Sequence, residues 1–410
     1  MMKRWLVTFG PAIAIEGAGR LCRGVRDVGG DALAIFTSLY TGYRIIQPRY
    51  PQRGIYALET DRVFFEPEPS RYKGCVLQPE RSRDFAGVDL LGDVTKAAKE
   101  EGLSVAALIP MFAAGRFAKE YPGCAVLNLF GSRDRLFFCF NNPEVLRYRN
   151  TMIEDIASRY EVDAILLDKM PQTMLEQDAF NGRINPLLRV VGSFCFCEHC
   201  QQAASERGLD LSAVKDRCTE IAHKSLRIPQ HTIEALRDHL AGDTEVPQLL
   251  IDEPLIYDML QFRFDCVTDY IRKVREQLKA IRPDVQLHAA FVPTMHIGHD
   301  ATSPRSWLAV QSYKRYAEVF DLIHCVVHWS PDVVRYETHR AVDAVAGKCR
   351  LCTDLRLYGP TRPEEVSILA EEALAGGADA LGFLGYDVAS EELLNALRAW
   401  AKKPAGDRLG

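Results

Sequence analysis

The stretch 162–170, VDAILLDKM, sets four consecutive apolar residues, Ala164 to Leu167, between two aspartates. A short apolar run without polar alternation fits a strand buried on both faces, as in a parallel sheet. The acid that ends it then stands at the strand's carboxyl end. Seven other runs have the same form: RWLVTFG (4–10), DALAIFTSLY (31–40), SVAALIPMFA (104–113), VQLHAAFVP (285–293), DLIHCVVHW (321–329), CRLCTDLRLYG (349–359) and ADALGFLGYD (378–387). Amphipathic helical patterns lie between them, among them 143–160, 258–281 and 362–377, the last stopping at glycines. Eight strands alternating with helices predict an α/β fold closed as a (β/α)8 TIM barrel. No G-x-G-x-x-G follows the first strand and no G-x-x-x-x-G-K-[ST] is present, so a nucleotide-binding doubly wound sheet is disfavoured.

The 410 residues are 47% hydrophobic and 26% charged, enough to bury a large core. We expect one barrel domain over 1–400, an insertion at about 171–255 that carries a zinc-binding loop, and a polar tail at 401–410. Long connections after the second strand (41 to about 90) and the fourth should fold over the face where barrel active sites sit. A net charge of −5 without a basic patch argues against nucleic acid as a partner. No apolar run reaches the roughly 20 residues that span a bilayer. The N-terminal MMKRWLVTFGPAIAIEGAG mimics a signal peptide, but Gly10 and Pro11 break its apolar core. Twelve cysteines, mostly single and in apolar runs, suit a reducing cytoplasm. A homo-oligomer is compatible with all of this.

GSFCFCEHCQQAASERG (192–208) places Cys195, Cys197 and Cys200 in a C-x-C-x-x-C array. Three thiolates this close converge on one point, and a structural zinc takes a fourth ligand. His199, Cys218, His223 or a distant cysteine are candidates; reduced thiols without metal, or an iron–sulfur cluster, are the alternatives. FFCFNNPEVLRY (137–148), followed by a helix, the fourth strand and CFCEHC, resembles the order found in glycoside hydrolase family 42 β-galactosidases. There a cysteine ahead of an Asn-x-Pro segment joins a later C-x-C-x-x-C on a structural zinc. The resemblance, which covers about residues 100–205, implies Cys139, Cys195, Cys197 and Cys200 as ligands. Residues 77–105 and Phe262–Arg263 also resemble uncharacterised bacterial glycosyl-hydrolase-like barrel proteins.

Catalytic groups in such a barrel stand at strand carboxyl ends. Asp168, Asp354, Glu16 and Asp387 qualify, and Asp387 also suits a cap for the helix that follows. Alternation puts Asp354 and Arg356 on one face of their strand and His324 and His328 on one face of theirs. Two carboxylates flanking a glycosidic bond suffice for its hydrolysis. We therefore expect a glycoside hydrolase acting on a small glycoside or oligosaccharide, with Asp168, Asp354 and Glu16 as catalytic candidates. Arg356, His288, His328, Trp329 and Tyr386 are substrate-binding candidates. The chain departs from the family pattern: family 42 enzymes end the fourth strand with Asn-Glu and carry a nucleophilic Glu on the seventh, where this chain has Asp168-Lys169-Met170 and Asp354. An aspartate on the fourth strand resembles the nucleophile placement of retaining α-glycosidase barrels. Two other classes follow: a carbohydrate-binding barrel without catalysis, and a metal-dependent hydrolase or lyase using His288, His324 or His328 with Asp354.

Overall fold

The computed structural model describes residues 2–39, 44–46, 48–49, 55–57, 59–171, 185–229, 231–232, 245–291, 306–327 and 330–403. Each of the eight apolar runs forms a strand: β1 Lys3–Thr8, β2 Ala32–Phe36, β3 Ser104–Pro110, β4 Ala164–Asp168, β5 Gln286–Phe291, β6 Leu322–Val326, β7 Arg350–Arg356 and β8 Ala380–Leu384. They pair in parallel with their sequence neighbours, and β8 closes on β1 to complete the barrel. All five residues of β2 are buried, as expected for a strand covered on both faces.

The barrel helices are α1 Ala18–Asp27, α2 Leu90–Glu100, α3 Pro143–Arg159, α4 Pro254–Ile281, α5 Tyr313–Tyr316, α6 Pro331–Val345, α7 Pro363–Ala375 and α8 Glu391–Lys402. Local chemistry sets their starts. Asn142 accepts from the Glu144 and Val145 N–H groups ahead of α3, with Pro143 in the first position, where no N–H is needed. On α1 the buried residues are Leu21, Cys22 and Val25, one stripe facing the sheet. Each such side chain removed from water stabilises the fold by about 1.5–3 kcal/mol. Among the described residues no helix is long and apolar enough to cross a membrane.

One device repeats four times at the amino-terminal end of the barrel. Asp31, Asp163, Asp321 and Asp379 each immediately precede an even-numbered strand. Their carboxylates accept from the backbone N–H of Arg4 (3.1 Å), Val105 (2.8 Å), Leu287 (2.8 Å) and Leu351 (2.8 Å) on the odd-numbered strand beside them. The N–H of each aspartate donates back to the carbonyl of the same residue, at 2.8–2.9 Å. Every even strand is thus registered against its odd neighbour by a two-pronged clamp on the face that serves stability.

The long connections meet the barrel at several points. After β2 the chain forms short strand pairs (Ser38–Leu39 with Arg62–Val63, and Arg44–Ile46 with Ile55–Ala57). It then lies across α3, where the fully buried Asp155 accepts from the Glu68 N–H (3.0 Å) and the Tyr72 hydroxyl (3.2 Å). After β4 come helices at Pro186–Gly192, Glu198–Ser205, Leu211–Leu226 and Glu245–Asp252.

Candidate functional site

Facing within the barrel follows from contacts. Thr353 on β7 meets the Thr338 hydroxyl of α6 at 3.0 Å, so it points outward. Cys352, Asp354 and Arg356 therefore point inward. The rings of Trp5, His288 and His324 meet one another with centroids 5.4–5.9 Å apart, so these three are inward as well. Leu166 pairs in register with His288, which turns Asp168, two residues on, to the interior.

At the carboxyl end of β7, His324 Nδ1 lies 2.9 Å from Asp354 Oδ1 and Cys352 Sγ lies 3.3 Å from the same oxygen. The carboxyl group sits against Gly382 of β8: a Cβ there would be 1.8 Å from Oδ1. Only glycine at 382 leaves this seat open. Asp354, His324 and Cys352 are all buried. Their ligand atoms lie within 4.8 Å of one another, close enough to hold a metal. Hydrogen bonds already account for the arrangement, with the imidazole N–H and the thiol donating to the carboxylate. Burial pushes the Cys352 thiol well above its usual value, and the Asp354 charge adds to this, so it stays a donor.

Asp168 ends β4 and is half-buried, three strands away from β7 around the barrel, with β5 and β6 between. The next residue, Lys169, holds a left-handed backbone (φ 50°), a strained conformation for a residue with a side chain and one that collects at functional sites. Its carbonyl accepts from the Phe112 N–H at 3.0 Å, and that of Asp168 from Met111 at 2.8 Å.

Glu16 belongs to a different cluster at the junction of β1 and β8. Its carboxylate lies 3.5 Å from Arg49 Nη2, and both side chains are buried. The same guanidinium donates to the Tyr386 carbonyl (2.7 Å) and lies 4.7 Å from the Tyr386 ring centroid. Asp387 is wholly buried; its Oδ2 accepts from the Phe9 N–H (3.3 Å) and its Oδ1 has no hydrogen-bond partner. Burial pushes its carboxyl up to about 7. Asp387 does not cap α8, as the sequence suggested: Ser390 does, accepting from the Leu393 N–H at 3.4 Å. The chain takes a 3-10 turn through Tyr386–Val388 first, which draws Asp387 inward.

The sequence-derived substrate groups part ways. Arg356 is half-buried at the end of β7, with its guanidinium 5.7 Å from the Tyr358 ring centroid. His288 is fully enclosed, with Nε2 3.0 Å from Gln286 Oε1, one step toward the amino-terminal end. Burial holds it well below the usual histidine range, so it is a neutral core residue, out of reach of a sugar. Tyr386 is buried too, its hydroxyl against Gly24. His328 and Trp329 lie outside the described residues. The sequence reading passed over Cys352, Arg49 and Gly382. Cys352 was within reach, since it shares a face with Asp354, whereas Arg49 sits in a long connection with no periodicity to place it.

The cysteines converge as expected. Cys139 follows the hairpin Ala125–Leu127/Arg133–Phe138, and its N–H donates to the Cys124 carbonyl (2.8 Å). Cys197 occupies the N-cap position of the helix Glu198–Ser205 and Cys200 lies in its first turn, where free N–H groups favour thiolates. Cys139 Sγ is 3.5 Å from both Cys197 Sγ and Cys200 Sγ, and all four buried sulfurs lie within 4.8 Å of one another. Tetrahedral bonds of about 2.3 Å would place sulfurs about 3.8 Å apart, so the group can hold a metal ion. N–H donors surround it: Leu127 to Cys195, Asn141 to Cys139 and the Asn141 side chain to Cys200, each at 3.4 Å. The centre joins the β3–α3 connection to the β4–α4 connection.

The chain is similar in fold to several solved glycoside hydrolases. The chain is similar to the glycoside hydrolase domain of PgaB (BpsB) from Bordetella bronchiseptica, at TM-score 0.59 and 14% identity over 99% of this chain and 100% of that one. It is similar to the β-galactosidase of Marinomonas ef1, at TM-score 0.58 and 11% identity over 98% of this chain and 59% of that one. It is also similar to α-L-fucosidase isoenzyme 2 of Paenibacillus thiaminolyticus, at TM-score 0.53 and 14% identity over 98% and 48%. The fold shared with them is a (β/α)8 TIM barrel. The chain spans about half the length of the fucosidase and three-fifths that of the galactosidase. No protein-family model and no curated protein sequence matches it.

Proposed function

We propose that this chain hydrolyses a small glycoside or oligosaccharide with the carboxyl groups of Asp168 and Asp354, and carries a structural zinc on Cys139, Cys195, Cys197 and Cys200. The observation that carries the catalytic reading is the seat of Asp354. An inward carboxylate at a barrel strand's carboxyl end is held by two donors and given room by a glycine. Both donors meet Oδ1, which leaves Oδ2 for the substrate. Glycosidic cleavage needs one carboxylic acid to protonate the leaving oxygen and one carboxylate to attack the anomeric carbon or activate water. Asp168, half-buried and inward on β4, supplies the second group. Glu16 is engaged by Arg49 and fits a supporting role at the β1–β8 rim. The zinc, closed by four thiolates, has no open position for water and serves the fold.

The test is turnover of a panel of aryl glycosides and oligosaccharides by the wild-type chain, Asp168→Asn and Asp354→Asn. Each amide is expected to lower the rate by about 10²–10⁴ while leaving the fold intact. Measurable sugar binding with no turnover across the panel replaces the enzyme reading with a carbohydrate-binding one. Loss only in Asp168→Asn moves the second carboxyl role to Glu16.

A further inference from the structure

We propose that Arg263 is the counter-charge of the metal–thiolate centre and sets its affinity for the metal. The inference rests on the zinc reading above and concerns a residue outside the ligand set.

Arg263, on α4, is 2% exposed. Its Nη2 donates to the Leu308 carbonyl at 2.9 Å, its Nη1 reaches Ser193 Oγ at 3.5 Å, and its guanidinium lies 5.5 Å from the Phe194 ring centroid. Its Nε has no hydrogen-bond partner. None of these contacts is an anion, and a guanidinium taken out of water without one is strongly unfavourable. Burial pulls it down to about 10, and Cys200, Cys195 and Tyr316 oppose this. Ser193 and Phe194 directly precede Cys195, so the guanidinium is fixed to the chain that carries the ligands.

Neutral thiols would leave this cation uncompensated. Four thiolates around Zn²⁺ carry a net charge of about −2, and a buried centre of that charge calls for a cation beside it. The N–H groups of Leu127 and Asn141 supply dipoles to three of the sulfurs, and Arg263 supplies the charge. Because Nη2 also holds Leu308, the metal centre is coupled through one side chain to the segment that follows β5.

The experiment is Zn²⁺ affinity of the full chain by competition with a chromophoric chelator, with Co²⁺ spectra as a report on tetrathiolate coordination. Wild type, Arg263→Lys, Arg263→Gln and Arg263→Met are compared. Gln and Met are expected to weaken Zn²⁺ binding by about 10- to 100-fold, the range seen for groups that support metal ligands, with the Co²⁺ spectrum unchanged in type. Lys, which keeps the charge, is expected to recover most of the loss. Gln retains donors for Leu308 and Ser193, so it carries the test if Met does not fold. Affinity in Gln or Met within two-fold of wild type, or an equal loss in Lys and Gln, overturns the proposal and leaves the zinc reading standing. A wild-type chain that binds neither metal overturns both.

Discussion

His324 Nδ1 and Asp354 Oδ1 lie 2.9 Å apart inside the barrel, joining β6 to β7 through a fully buried imidazole. Replacing His324 with Phe leaves a buried carboxylate with only a thiol donor. The expected cost is about 1.5–3 kcal/mol, the range for a hydrogen bond to a charged group. His324→Asn, whose amide can still donate, is expected to cost less than half of that. Urea unfolding of the two variants checks the order.

Gly382→Ala tests the seat itself. The added methyl would lie 1.8 Å from Asp354 Oδ1 and 2.6 Å from Cγ, so the carboxyl group must turn out of its place. We expect a stability loss of about 1–3 kcal/mol from overpacking. On the proposed reading, glycoside hydrolysis falls as far as in Asp354→Asn. A variant that loses stability but keeps full activity would separate Asp354 from the reaction.

The four aspartate clamps predict a set of similar mutational costs. Asp163→Ala and Asp379→Ala each remove a charged acceptor from a backbone N–H, worth about 1.5–3 kcal/mol. The corresponding Asn variants keep an acceptor oxygen and are expected to lose under half as much. Asp321→Ala should cost more than Asp379→Ala, because Asp321 also pairs with Arg275 at 2.8 Å. Denaturant midpoints at constant slope report these differences.

Asp387 makes stability depend on pH with a definite sign. Its carboxyl is raised to about 7 in the fold from an ordinary value of 3.8. Between about pH 4 and pH 7 the unfolded chain has released this proton and the folded chain still holds it, so stability falls as pH rises. The loss is on the order of 4 kcal/mol by pH 8. Asp61, pushed up to about 6 by burial, acts in the same direction. Asp387→Asn is expected to flatten most of the decline and to exceed wild type in melting temperature at pH 8. A profile parallel to wild type would show that Asp387 ionises freely in the fold.

Elemental analysis is expected to find one zinc per chain, and Cys139→Ser to lose it. Metal loss should lower the melting temperature before it changes any sugar chemistry, since the centre ties two connections together outside the barrel. Two equivalents would assign the second ion to His324, Cys352 and Asp354, the other described group able to hold one.

The architecture was legible in the chain because each strand is covered on both faces. A buried parallel strand must be apolar over its whole length, and residues 162–170 and their seven counterparts announce themselves without any partner. That Asp354 and Arg356 share a face was legible for the same reason, since alternation is a property of one strand, whereas the contact of Thr353 with Thr338 was needed to turn that face inward. The four cysteines were reached through a resemblance, because no local rule joins Cys139 to ligands about sixty residues away.

The sequence by itself determined the eight strands, the helices between them and the acids, Asp168 at the end of β4 and Asp354 near the end of β7. Only the tertiary structure decided which of these groups meet. His324 reaches Asp354 across 30 residues, Gly382 opens the seat from a third strand, and Arg263 reaches Ser193, two residues before Cys195, across 70 residues. The same holds for the repeated aspartates: each is an ordinary polar residue before a strand until the closed barrel brings a neighbour's N–H within 3.1 Å or less. Periodicity along a chain reports which face a residue occupies. The stagger between strands that closes a barrel sets which residues share a level, and that stagger is a property of the whole sheet.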